Sequence, residues 1–362
     1  MKTLILSLSI EGNSMDPLVL QTSYGWSKGL MRACLMLLVP LLLLGKTEKR
    51  RGWESSELIW NGAIISLCDR GVDLDPGQFY KHEDSHYLER ESYEDIQKGE
   101  VVWVSPKKVF QFFKEVFPKV REPFILLVSG GDESFPSQTG LSLEELNRIL
   151  EDKRLIHIFA QNCDYEKAHK KLTPIPIGLD YHTIAYKGSK GNRKVSPAMQ
   201  EKQLLDICHS SPPLSMRKKK AFIDFHHFDS IRRGYLKRYS ELGEDRASIF
   251  NQLKKTGLID AGPKMERSAL WKVKSQYAFS ISPHGNGLDC HRTWEDLALG
   301  CIVIVKTSPL DRLYEGLPVV IVKDWAEITE ENLNLWLEQF KDFSYREKLT
   351  LKYWLNKIDE VK

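Results

Sequence analysis

From Trp53 onward, short apolar runs alternate with stretches whose apolar positions recur at helical spacing. This βα rhythm predicts parallel sheets flanked by helices. In the first half LIWNGAII from Leu58, VVWV from Val101, FILLVSG from Phe124 and LIHIFAQN from Leu155 read as strands. A helix is predicted between Lys107 and Phe117, where Val109, Phe110, Phe113, Val116 and Phe117 fall at helical intervals. Another lies between Ser142 and Leu150, opened by the capping-box pair Ser142 and Glu145. The second half repeats the rhythm with AFIDF from Ala221, a helix through Arg246–Lys255, YAFSIS from Tyr277, a helix from about Cys290 to Leu299, CIVIV from Cys301 and PVVIV from Pro318. Closing helices are expected over Glu330–Phe343 and Tyr345–Ile358.

Between the halves, Tyr186–Lys220 carries GSKGNRKVSP and HSSPPLSMRKKK with few periodic apolar positions, and reads as a linker. Its RKKK, Arg217–Lys220, reads as a solvated run. The implied organisation is α/β: an N-terminal extension over residues 1–50, a Rossmann-like domain over 51–195, a linker over 196–220, a second Rossmann-like domain over 221–344 and a closing helix over 345–362. Two such domains face each other across a cleft.

Composition narrows the classes. With 28% charged and 42% hydrophobic residues the chain is an ordinary folded globule, neither disordered nor a multi-pass membrane protein. Its 52 Lys and Arg against 49 Asp and Glu leave +3, no broad field for a phosphate backbone, so nucleic acid is not an expected partner. The six cysteines show no CxxC and no zinc-type pairing with histidine. No Asn-x-Ser/Thr sequon occurs. The run LMRACLMLLVPLLLLG, broken by Arg32 and Pro40, is shorter than the roughly 20 apolar residues of a spanning helix. Lys46, Lys49, Arg50 and Arg51 follow it and favour a cytosolic body, the reverse of a Golgi-type anchor. Membrane attachment through residues 30–45 and a cleaved or surface-attached segment both fit, which leaves location open between membrane-associated and cytoplasmic.

The most informative motif is SPHGNGLDCHRTWEDLALG, between the strands YAFSIS and CIVIV. A glycine-bearing loop after a parallel strand, leading into a helix, is the construction that seats a diphosphate. Gly285 and Gly287 allow close approach and positive φ, and Asn286 and Asp289 are loop and cap residues. Arg292 adds a permanent charge with a bidentate fork, and Glu295, three residues on, is placed to accept from ribose hydroxyls. A solvated Arg–Glu pair is the plainer reading of the same spacing. His284 in the loop, and His226, His227, Arg232 and Arg233 after AFIDF, are further candidates for donor phosphates. Neither G-x-G-x-x-G nor a Walker loop is present, so hydride transfer and nucleotide hydrolysis lose support.

HRTWEDLALGCIVIV followed by LPVVIVKDWAEIT resembles the C-terminal half of exostosin-like glycosyltransferases, a family with the GT-B fold. In that family an Arg and a Glu on one helix precede a Gly-Cys-Ile strand and a later Asp-Trp. The likeness spans roughly Phe279–Leu337, with Val303 where a proline is usual, and Gln161–Asp180 is similar to the N-terminal half of related algal, viral and animal xylosyltransferase-like proteins. The resemblance implies a GT-B-like pair of domains and a UDP-sugar as co-substrate. It also implies that Arg292 contacts the donor diphosphate and Glu295 the donor ribose, with Asp324–Trp325 mainly structural.

Inverting transfer to a glycan hydroxyl needs a general base on the acceptor side. Asp132 in LLVSGGDESFPS is the first candidate and Asp180 in PIPIGLDYH the second, with Glu133, Asn162 and His182 as acceptor-binding candidates. No Asp-x-Asp triplet occurs where it would bind a cation, the DLD of Asp73–Asp75 preceding a Pro-Gly turn. Metal-independent transfer without a cofactor is therefore expected. Trp294, Trp325 and Trp336 read as core. A non-catalytic glycan- or nucleotide-binding scaffold of the same fold, or another phosphate-handling α/β enzyme, are the alternatives.

Overall fold

The computed structural model describes residues 56–71, 88, 90–188, 193–226 and 246–362. The apolar run at 30–45, Asp73–Asp75, His227, Arg232 and Arg233 lie outside the described residues. Residues Arg50–Lys362 cluster as one compact unit. Within it stand two wholly parallel sheets.

The N-lobe sheet runs in chain order, β1 (Val101–Val104), β2 (Phe124–Val128), β3 (Leu155–Gln161) and β4 (Leu172–Ile175). The C-lobe sheet has the order β6 (Ile259–Ala261), β5 (Lys218–Ile223), β7 (Tyr277–Ile281), β8 (Ile302–Lys306), β9 (Val319–Val322). Its chain leaves β5 on one side for β6 and returns on the other as β7, so β5 and β7 flank a topological switch point, where open α/β sheets bind ligands beyond the strand ends.

Alternation along the strands divides each sheet between two cores. In β1 and β2, Val101, Trp103, Ile125 and Leu127 point into one cluster and Val102, Val104, Leu126 and Val128 into another. In β8, Val303 and Val305 share the first cluster, while Ile302 and Ile304 join a third. The first cluster therefore runs continuously between the lobes and welds them. Trp294 and Trp325 are buried and Trp336 is partly buried, all in core clusters as expected.

Most predicted elements appear close to their expected places, including the capping box of Ser142 and Glu145 on α2 (Leu143–Glu151). The stretch before β2 is helical but composite, with single turns Pro106–Lys108, Val109–Gln111 and Phe117–Lys119 around the wider-wound Phe112–Val116. Phe110 in it is 39% exposed. LIWNGAII is not a strand: Leu58 and Trp60 make single antiparallel bridges, and the short helix α1 (Asn61–Ser66) follows. A short apolar run buried on every side carries no periodicity that separates strand from helix.

The expected linker holds α3 (Pro197–Ser210), capped by Ser196 and packed through Gln200, Glu201, Leu204 and Ile207. RKKK is not uniformly solvated either. Arg217 is buried with its Nε donating to the Pro212 carbonyl (2.9 Å), while Lys218 and Lys219 begin β5 in the open. Two strands and a helix carried too little pattern to predict: β4, an edge strand that tolerates Pro174, the three-residue β6, and α5 (Arg267–Lys274). After α6 (His291–Ala298) and α7 (Glu330–Phe340), the last helix α8 (Leu351–Asp359) returns to the N-lobe. There Ile59 N–H donates to Leu349 and Leu351 N–H to Glu57. Among the described residues no helix is long and apolar enough to cross a membrane.

Candidate functional site

The strand ends of both lobes open onto one cleft of about 590 Å³. From the C-lobe come Asp224 and Phe225 after β5 and the Gly285–Gly287 loop after β7, the two sides of the switch point. From the N-lobe come Gly130–Asp132 after β2 and Ile177, Asp180 and His182 after β4. Of the expected donor residues, Gly285, Asn286, Gly287, Asp289, Arg292 and His226 line this cleft, and Asp132, Asp180 and His182 join them from the opposite lobe.

Arg292 is fixed in place. Its Nε donates to Asp224 Oδ1 (2.7 Å) and its Nη1 to Ser282 Oγ (3.4 Å), and Nη2 has no protein partner among the described residues. The other oxygen of Asp224 accepts from Lys274 Nζ (2.7 Å), which also pairs with Asp296, itself bonded to Ser280. Lys274 is fully buried. Burial opposes every charge in this chain, yet Asp224 and Asp296 hold the Lys274 pKa above its ordinary value, and Lys274 with Arg292 holds that of Asp224 below. Burial opposes the Arg292 charge too, but Asp224, Cys290 and Asp296 together more than offset it. Asp296 is pushed by burial up to about 6. The guanidinium reaching the cleft is thus a permanent cation on a carboxylate bracket.

The glycine loop is shaped by close approach. A Cβ on Gly287 would lie 2.9 Å from Asn162 Nδ2 and 3.0 Å from the Asp132 carbonyl, and one on Gly285 3.2 Å from Cys290 Sγ. Neither glycine has the positive φ that was expected of it. Arg246 ties the loop from below, its Nε donating to the His284 carbonyl (2.8 Å).

Several predicted site residues turn out to build the site's walls. Asp289 is 3% exposed, and its carboxylate accepts from Ile177 N–H (2.8 Å), Cys290 N–H (2.9 Å) and the Trp294 indole (2.8 Å). Burial nevertheless pushes it up to about 6. Asn162, fully buried with φ 50°, donates to the Gly131 carbonyl and accepts from Asp289 N–H (2.8 Å), so it joins the lobes and has no face for an acceptor. His284 is buried away from the cleft, its Nδ1 on the Leu288 carbonyl (2.7 Å), and desolvation drives it down to about 4. A neutral imidazole there is no partner for a phosphate. Glu133 folds back toward Gly131 and Lys107 instead of the cleft. Glu295 accepts from the Trp271 indole (3.2 Å) outside the cleft lining, so α6 turns Arg292 to the ligand side and Glu295 to the core, and the expected ribose contact is not available.

No protein-family model and no curated protein matches this chain. Among solved structures it is similar to a UDP-forming α,α-trehalose-phosphate synthase from Burkholderia xenovorans, at 10% identity over 87% of this chain and 82% of that one, with a TM-score of 0.36. It is similar also to the catalytic domain of starch synthase IV from Arabidopsis thaliana bound to ADP and acarbose, at 12% identity over 73% of each chain, with a TM-score of 0.32. At TM-scores of this size the reading of the site rests on its own side chains.

On the N-lobe side, Asp132 is exposed and makes no hydrogen bond or ion pair among the described residues. Asp180 is engaged: Arg267 Nη2 donates to Oδ2 (2.7 Å), Thr183 N–H to Oδ1 (2.9 Å), and His182 Nδ1 lies 3.2 Å from Oδ1. Burial raises its pKa, but His291, His182 and Arg267 together hold it far below the usual carboxylate range, which makes it a poor proton acceptor. His291 rests its Nδ1 on the Gly178 carbonyl (2.7 Å). Sequence reading missed Asp224, Lys274, Arg246, Arg267 and His291 as site residues. Asp224, Arg246 and His291 were each in view, as the end of a strand or the start of a helix, but nothing local says which way they point.

Proposed function

We propose that the cleft binds a nucleotide diphosphate sugar, UDP-linked by the exostosin-like resemblance of the Arg292 helix, and transfers the sugar with inversion to a glycan hydroxyl. The observation that carries this reading is the bracketed Arg292 at the β5/β7 switch point, with one Nη group turned to a cleft whose opposite wall bears the exposed Asp132. Arg292 meets the charge that develops on the departing diphosphate. It is a fixed protein cation, so the diphosphate itself needs no metal. The acceptor oxygen attacks the anomeric carbon as the bond to the diphosphate breaks. The acceptor's proton passes to Asp132 and the electron pair leaves with the nucleoside diphosphate.

The test is UDP release from a panel of UDP-sugars, with thermal shift as the binding readout. Arg292→Ala weakens the thermal shift by the UDP-sugar and lowers kcat/KM for UDP release by about 10²–10³. Asp132→Asn leaves the thermal shift intact and lowers kcat. UDP-sugar binding without release in the presence of glycan acceptors would favour a scaffold of the same fold.

A further inference from the structure

Asp180, His182 and His291 offer one ligand atom each, all within 4.8 Å of one another. They reach the cleft from both lobes, two from the segment after β4 and one from the first position of α6. His182 Nδ1 and Asp180 Oδ1 are 3.2 Å apart. Two atoms bound to one tetrahedral ion through bonds of about 2.0–2.1 Å sit about 3.3 Å from each other. The two imidazoles have centroids 5.1 Å apart and planes inclined at 59°.

What surrounds the three matters as much as their spacing. His291 Nδ1 donates to the Gly178 carbonyl at 2.7 Å, which fixes the ring and leaves Nε2 as its nitrogen for a ligand. Asp180 is oriented from behind, by Arg267 on Oδ2 at 2.7 Å and by Thr183 N–H on Oδ1 at 2.9 Å. Carbonyls behind histidines and donors behind carboxylates are the outer partners that orient metal ligands.

We propose that Asp180, His182 and His291 bind a divalent transition ion of the zinc class. Two imidazoles and one carboxylate suit zinc, cobalt or nickel, whereas magnesium and calcium take oxygen ligands. Three protein ligands leave one position of a tetrahedral ion open, and the cleft supplies the oxygen that fills it, from water or an acceptor hydroxyl. This site goes beyond the sugar-nucleotide reading, because its ligands are not the groups assigned to the diphosphate.

The full chain, stripped with EDTA, is titrated with zinc chloride by calorimetry and with cobalt chloride by visible absorption, which separates imidazole and carboxylate ligands from thiolates. The expected result is one equivalent per chain, weakened at least tenfold in His182→Ala and His291→Ala, with circular dichroism unchanged. Should an alanine variant not fold, His182→Gln and His291→Gln take its place. No stoichiometric binding, or binding the same in every variant, overturns the site and leaves a plain ion network around Arg267. UDP titrated into the same stripped protein keeps the two readings apart: UDP binding without zinc binding removes the metal site alone, and zinc binding without UDP binding removes the donor assignment alone.

Discussion

The Arg292–Asp224–Lys274–Asp296 chain and the Asp180–Arg267–His182–His291 cluster open onto the same cleft, but they hold charge in different ways. The first alternates cation and anion from the cleft down to the fully buried Lys274, with Asp224 bracketed by Arg292 and Lys274 and Asp296 ending the chain. Desolvation penalises all four groups, so each survives as an ion only through its neighbours. The second has a single guanidinium, and Asp180 keeps Thr183 N–H and two imidazoles besides it. One cluster presents a fixed cation for a ligand's negative charge; the other gathers one carboxylate and two imidazoles around a single guanidinium.

The sharpest way to break the comparison is to remove one cation from each. Lys274→Met leaves buried Asp296 without a cation and Asp224 with Arg292 alone, and is expected to lower stability by about 3–5 kcal/mol. Arg267→Met is expected to cost less than half as much, since Asp180 retains its other partners. Urea unfolding of both variants decides it, and equal losses would show that the clusters are energetically alike. Next in size is the donor step: Arg292→Ala is expected to lower kcat/KM for UDP release by about 10²–10³, with Arg292→Lys intermediate because a lysine has no fork.

The loop above the first cluster adds a pH test. An imidazole has an ordinary value near 6.5, and His284 is held at about 4 by burial. Between those values the unfolded chain binds a proton that the folded chain refuses. The stability contributed by neutral His284 is therefore complete above about pH 6.5 and is lost as pH falls toward 4. His284→Gln should flatten that part of the Tm–pH profile, and an unchanged slope would show that another group controls it. The smallest effect is expected at the junction of the lobes, where Gly287→Ala pushes a methyl against Asn162 and the Asp132 carbonyl. A loss of about 1–3 kcal/mol in thermal unfolding is the expectation, and no loss would mean that the lobes yield there.

Much of the scaffold could be read along the chain. Strands β1, β2, β3, β7, β8 and β9, the helices α2, α4 (Arg246–Lys254) and α6, and the glycine loop before α6 all follow from local pattern. Where it failed, the local signal was weak or misleading. Pro174 hides an edge strand, the turn-rich flanks of α3 resemble a linker, and LIWNGAII is buried without a period. The site was half legible. Arg292 and Asp132 could be picked out by residue type and place in a βα unit. Glu295 and Asn162 looked equally suitable, yet they spend their polar atoms on Trp271, Gly131 and Asp289.

By itself the sequence determined the βα alternation, the glycine turn at a strand end and the arginine in the following helix, because periodicity, capping and turn chemistry act over a few residues. Only the tertiary structure decided which polar groups reach a ligand. Asp289 is claimed by an N–H 112 positions away, and Arg292 is aimed by a carboxylate 68 positions away. A buried charge must find its partner wherever the fold brings one, and spacing along the chain carries no record of that meeting.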